Sequence, residues 1–198
     1  MHASSHIRQH INKIALGKPF LSSIFLKYGK RATIDQTLSR LVKSGFIERV
    51  ARGVFVRPKK NAFIGTVPPT PFKIAETVAK TVGAKISING AEALRRFGLS
   101  TQTPTQAVFY TEGPTRKLKF GKLKIIIKHV SPRKLVLAHR PAGQAITALW
   151  YLGKRGITKN IVEQIIAKLE PSELKALHAA QATMPSWMSD AVVSLKQT

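Results

Sequence analysis

The sequence has no cysteine and only nine acidic residues among its 198. Without cysteine there is no disulfide framework, no thiolate chemistry and no Cys-ligated zinc. The few acids are dispersed, and a metal-dependent nuclease needs them clustered; Glu92 and Glu112 make a weak pair for that purpose. No apolar run of about 18 residues occurs, so no bilayer span is expected. The first residues lack the charged and apolar blocks of a secretory signal. Gly-rich phosphate loops, nucleophile elbows and HExxH strings are also missing. The expectation is a soluble, cytoplasmic, non-enzymatic protein that uses no cofactor or metal and does not enter a membrane.

Positive charge is abundant. Lys and Arg number 33, the formal net charge is +24, and 43% of residues are hydrophobic. That apolar content can offset chain entropy, so the chain is not a disordered basic tail. A compact protein this basic repels itself, and a polyanionic partner is the natural compensation. The charge is uneven. Residues 1–66 carry 13 basic and two acidic residues, residues 67–140 carry 14 and three, and residues 141–198 carry six and four. The first two-thirds of the chain is therefore expected to face the polyanion.

Three prolines within Pro68–Pro71 mark a boundary, because proline continues neither a helix nor a central strand. The chain is divided there into residues 1–66 and 72–198. The fold class expected is α+β: an N-terminal winged helix-turn-helix, then a mixed α/β domain with a C-terminal helical portion. In the first part, Ile7, Ile11 and Ile14 recur at helical spacing, and Leu21, Ile24, Phe25 and Tyr28 give a second helical stripe. Thr33 and Gln36 fit a capping box opening a third helix with Ile34, Leu38, Leu41 and Val42 inside and Gly45 past its end. Residues 46–50 and 54–57 then read as two short strands around a turn at Arg52-Gly53. In the second part, helices are expected at 72–82, 91–97 (capped by Asn89) and from Pro141 onward. Strands are expected at 85–88, 107–111, 116–120 and 123–130.

A winged helix-turn-helix lays one helix in the major groove of DNA. On the helix starting near Ile34, the outward face would carry Asp35, Gln36, Ser39, Arg40 and Lys43. Arg40 can grip guanine at two points and Gln36 adenine, with Thr37 and Ser39 as adaptable hydrogen-bonders. Asp35 would accept from cytosine or orient Arg31. Lys30, Arg31 and the Thr33-capped helix start point at a phosphate. Arg52 tips the wing, with Arg49, Arg57, Lys59 and Lys60 nearby, and a minor groove attracts such an arginine.

The strings Leu38-Ser39-Arg40-Leu41-Val42-Lys43-Ser44-Gly45 and Ile47 to Phe55 resemble the winged helix of AbiEi-type antitoxins. These belong to the bacterial abortive-infection type IV toxin–antitoxin systems. The resemblance extends diffusely through Asn89–Leu94, Phe109–Gly113 and Pro141–Ala145. It implies an autorepressor binding promoter inverted repeats through its N-terminal domain, with Gln36, Arg40, Lys43 and Arg52 as operator contacts. It also implies a C-terminal domain that counters a nucleotidyltransferase-like toxin without a stable complex. A monomer or weak dimer is expected.

Residues 116–130 alternate. Leu118, Phe120, Leu123, Ile125 and Ile127 share one face, and Lys117, Lys119, Lys122, Lys124 and Lys128 the other. Two readings stand side by side: edge protection, since exposed lysines deter strand pairing, or a second phosphate-binding patch. The patch would suit an alternative function, RNA or ribosome binding. His2, His6 and His10 recur every four residues, but a solvent-facing role is expected at a fraying terminus. Trp150, Tyr151, Trp187 and Met188 are assigned to helix packing, or otherwise to a partner surface.

Overall fold

The computed structural model describes residues 3–63 and 65–193, so His2 and residues 194–198 of the second expected domain lie outside the described residues. The chain is an α+β protein in two compact units, residues 1–83 with 118–124 and residues 84–117 with 125–198.

The first unit runs α1 (Ala3–Lys13), β1 (Pro19–Leu21), a 3-10 segment (Ser22–Tyr28), α2 (Arg31–Lys43), β2 (Glu48–Ala51) and β3 (Val54–Val56). Strand β3 lies between β1 and β2, antiparallel to both. Ile7 and Ile11 of α1, Phe20 of β1, Phe25, Ile34, Leu38 and Leu41 of α2, Ile47 and Phe55 form one buried cluster. Truncating a residue such as Leu38 to alanine would cost about 2–5 kcal/mol.

Helix α2 ends as its sequence foretells. Gly45 takes φ +70°, its N–H donates to the Val42 carbonyl, and the Phe46 N–H reaches back to Leu41. This is the Schellman arrangement, and the left-handed residue it needs favours glycine. The helix start differs from expectation. The N-cap is Lys30, with no side-chain cap, so Thr33 sits inside the first turn and the capping box does not form. Arg31 and Ala32 are good helix formers, and Arg31 gains Asp35 one turn on, so the helix begins before Thr33.

The expected second helix is a 3-10 segment. At three residues per turn, Ser22, Phe25 and Tyr28 align on one side. Ser22 and Phe25 are accordingly buried, whereas Leu21 is half-buried and Ile24 exposed.

A second hairpin follows, β4 (Lys59–Asn61) antiparallel to β5 (Gly65–Val67), and then α3 (Pro71–Lys80), whose N-cap Thr70 accepts from the Lys73 N–H. Pro68 and Pro69 separate β5 from α3, and Pro71 opens that helix. The division expected at 66 and 72 nevertheless moves to Gly83/Ala84, because α3 packs against β1 and belongs to the first unit.

The rest of the chain contains β6 (Ile86–Ile88), α4 (Gly90–Arg96), β7 (Ala107–Thr111), β8 (Arg116–Phe120) and β9 (Leu123–His129), of which residues 118–124 belong to the first unit and the others to the second, followed by a 3-10 turn (Pro132–Leu135). Helices α5 (Pro141–Gly156), α6 (Lys159–Ile166), α7 (Pro171–Ala179) and α8 (Ser186–Val193) complete it. The sheet order is β6-β7-β9-β8, with β7 and β9 parallel and β8 at an edge. Asn89 caps α4 as expected, its Oδ1 2.8 Å from the Glu92 N–H. Helix α5 buries Ala142, Ala145, Ile146, Ala148 and Leu149 in the core. A Cβ at Gly143 would collide with the Leu137 carbonyl, so only glycine lets that backbone approach α5.

Candidate nucleic-acid interface

The inner side of α2 is held by Ile34, Leu38 and Leu41, which leaves Asp35, Gln36, Arg40 and Lys43 exposed and Ser39 half-exposed. The side chains of Gln36, Arg40 and Lys43 make no hydrogen bond or ion pair among the described residues. They are therefore available to an external ligand. Lys30 and Arg31 are exposed at the helix start, where no side chain among the described residues caps the first-turn N–H groups. Free N–H groups and the helix dipole favour an anion at such a place.

Thr37 leaves the contact set. It is buried, and its hydroxyl donates to the Thr33 carbonyl at 2.8 Å. Position 37 falls on the core side because it lies three residues beyond Ile34 and four before Leu41. Arg57 leaves it as well. Its Nη1 donates to the Asn12 and Ile14 carbonyls, both at 2.8 Å, closing the C-terminal end of α1. Thr33 stays exposed, without the cap role expected of it.

The β2–β3 turn presents Arg52 to solvent. Arg49 is exposed too and lies over the Phe55 ring, 5.4 Å from its centroid, which restrains the guanidinium. The sequence reading missed the next hairpin. Lys59, Lys60 and Asn61 are exposed on β4, and Phe63 in the turn is 96% exposed, with its N–H bound to Asn61 Oδ1. Its only signal in the sequence is a lone aromatic following Lys59-Lys60-Asn61-Ala62, too little to separate a hairpin turn from a loop.

In the β8–β9 hairpin, Ile125 and Ile127 are buried while Lys117, Lys119, Lys122, Lys124 and Lys128 are all exposed, so the alternation is as expected. Lys117 and Lys119 stand on the edge strand, which keeps edge protection and phosphate binding both open.

Several histidines and carboxylates are engaged locally. His6 stacks on Tyr28, and His10 Nδ1 lies 2.9 Å from the Tyr28 hydroxyl. Burial, with Lys27 and Lys13 nearby, holds the His10 pKa below its ordinary value. Glu92 binds Arg95 and Arg96, whose hydrogen bonds keep its carboxyl below the usual range. Glu112 accepts the Lys85 N–H at 3.1 Å. Glu173 binds Arg140 and the Ala142 N–H, tying α7 to the start of α5, and these bonds lower its pKa in turn. Trp150 and Trp187 meet edge to face at 5.8 Å, and Met188 is fully buried.

These features define an α+β protein whose first unit exposes a basic helix face. No helix among the described residues is long and apolar enough to cross a membrane. The chain belongs to a family of unknown function, DUF6088, whose model matches residues 6–177. It is also similar to the crystal structure of RV2827C protein from Mycobacterium tuberculosis, at a TM-score of 0.47 and 10% identity, over 98% of this chain and 76% of that one. No curated protein matches.

Proposed function

We propose that the chain is a DNA-binding transcriptional autorepressor and antitoxin of a bacterial type IV toxin–antitoxin system, non-enzymatic and cytoplasmic. The observation that carries the DNA-binding part is the outer face of α2, where Gln36, Arg40 and Lys43 stand exposed and unpaired on a helix whose other face is fixed in the core. The order α1, β1, 3-10 segment, α2, β2, β3, with β3 in the middle of the sheet, supports a winged helix-turn-helix reading. In that reading α2 enters the major groove and Arg52 lies at the wing tip. Lys30 and Arg31 take phosphates, and Lys59, Lys60 and Phe63 extend the surface. The antitoxin part rests on the sequence resemblance to AbiEi-type proteins.

The test is fluorescence anisotropy on a duplex from the chain's own upstream region, with a scrambled duplex as control. Binding should weaken steeply with salt. Arg40→Ala should lose about 1–3 kcal/mol of discrimination at one base pair. Lys43→Ala should weaken both duplexes alike. Equal losses on both duplexes for Arg40→Ala would overturn base reading. Rescue of growth on co-expression with a nucleotidyltransferase encoded next to the chain would test the antitoxin role.

A second reading, RNA binding, is favoured by the five exposed lysines of the β8–β9 hairpin. Preference for structured RNA over duplex DNA, lost in Lys122, Lys124 and Lys128 variants but kept in Arg40→Ala, would establish it in place of the first.

A further inference from the structure

A cavity of about 440 Å³ opens in the second unit where the C-terminal ends of the parallel strands β7 and β9 meet α5. Tyr110 of β7 and Lys128 of β9 are direct register partners, so their side chains leave the sheet on one face. His129 and Lys134 add positive or protonatable groups, Trp150 and Tyr151 of α5 add rings, and no lining residue is acidic. The volume lies within the roughly 300–1,000 Å³ typical of small-molecule sites. In open α/β sheets, ligands settle outside the carboxyl ends of parallel strands, the position this cavity occupies.

Four details go beyond a generic dent. The ring of Trp150 lines the cavity, while its indole Nε1 is shielded from solvent and has no hydrogen-bond partner among the described residues. The Lys134 ammonium lies 4.9 Å from the centroid of the Trp150 ring, so a cation stands directly against the aromatic wall. Tyr151, though 55% exposed, is seated against Gly90: a Cβ at that position would collide with the tyrosine's Cβ and Cγ. The His129 ring is fixed as well. Its Nδ1 donates to the Gly113 carbonyl at 3.0 Å, which leaves Nε2 as the free ring nitrogen.

We propose that this cavity binds a nucleoside phosphate, with the base against the Tyr110 and Tyr151 rings and the phosphate held by Lys128 and Lys134. Rings alone would suit any flat apolar molecule, and lysines alone any anion. A flat π-system joined to a phosphate uses both sets. The ligand is either a free mononucleotide or the phosphorylated end of a nucleic-acid strand, which present the same chemistry. The site goes beyond the DNA-binding reading, because it uses no residue of α2 or of the β2–β3 turn.

The test titrates the full chain with 5′-AMP, adenosine, inorganic phosphate and a 5′-phosphorylated single-stranded tetranucleotide, in about 150 mM salt to screen non-specific attraction to the basic surface. Tryptophan fluorescence and calorimetry give the readout. The expected result is saturable binding of 5′-AMP or of the tetranucleotide, at least about tenfold tighter than phosphate or adenosine. Lys134→Ala should weaken both phosphate and nucleotide. Tyr151→Leu should weaken the nucleotide alone, with circular dichroism verifying that the variant is folded. Lys43→Ala should leave nucleotide binding unchanged, which separates this site from the duplex interface. Binding of the tetranucleotide without 5′-AMP, with the same dependence on Lys134 and Tyr151, would assign the ligand to strand ends. The proposal is overturned by no saturable binding of either nucleotide probe, by equal affinity for 5′-AMP and inorganic phosphate, or by binding that survives Lys134→Ala and Tyr151→Leu unchanged.

Discussion

Arg31 and Asp35 are paired one turn apart on α2, with Nε 3.0 Å from Oδ2 and both side chains about half exposed. Asp35 is the one acid on that helix. It therefore restrains a guanidinium at the helix start and opposes the approach of a phosphate. Removing it should strengthen binding to every duplex. For Asp35→Asn, affinity should rise severalfold irrespective of sequence, and the log–log salt slope should steepen by about 1 as one further cation becomes available. Anisotropy across a salt series measures both. Loss of affinity on one duplex alone would mean instead that Asp35 accepts from a base.

Arg57 should behave as a structural residue. It bonds two carbonyls at the end of α1, where a cation also meets the negative end of the helix dipole. Arg57→Ala should cost about 1.5–3 kcal/mol of stability, the scale of hydrogen bonds to a charged group. Chemical denaturation reads that loss. Below the unfolding transition its duplex affinity should fall less than that of Arg52→Ala.

The pH dependence of the first unit should follow His10. Its folded pKa is lowered from 6.5 by burial and then by Lys27 and Lys13, so the unfolded chain takes up a proton more readily. The resulting stability is present above about pH 6.5 and is lost as the pH falls through the lower folded value. Denaturation midpoints between about pH 7 and pH 5 should therefore decline, and His10→Gln should flatten the decline. An unchanged slope in the variant would remove His10 from the account.

Phe63 offers a test of the added hairpin. At 96% exposure it contributes almost nothing to the core, so Phe63→Ala should leave thermal stability within about 0.5 kcal/mol of the parent. Aromatic side chains beside a basic strand can stack on, or wedge between, bases. The variant should accordingly bind duplex more weakly, with a smaller DNA bend by energy transfer between end labels. Unchanged affinity and bend would exclude this turn from the interface.

The strong local signals in the sequence carried through to the structure. Gly45 ends α2, Asn89 caps α4, Pro141 opens α5, and the alternation of residues 116–130 puts the lysines out and Ile125 and Ile127 in. Each depends on a few neighbouring residues. The 3-10 geometry of Ser22–Tyr28 was not legible, because its apolar residues suit an α period equally well and only packing against α1 and α2 selects between them. Strand β1 was missed for a related reason. Three residues, Pro19–Leu21, become a strand only because the edge of β3 is there to receive them.

By itself, the sequence determined the large positive charge, its concentration in the first two-thirds, the amphipathic period of α2 and its stop at Gly45. Those are matters of composition and of contacts within one or two turns. Tertiary structure decided which outward residues remain free. It turned Arg57 to the end of α1, and brought Tyr110, Lys128, Lys134 and Tyr151 around one cavity from positions up to 41 residues apart. Such choices depend on long-range packing, where a side chain is used by whichever neighbour reaches it first, and local spacing carries no record of that neighbour.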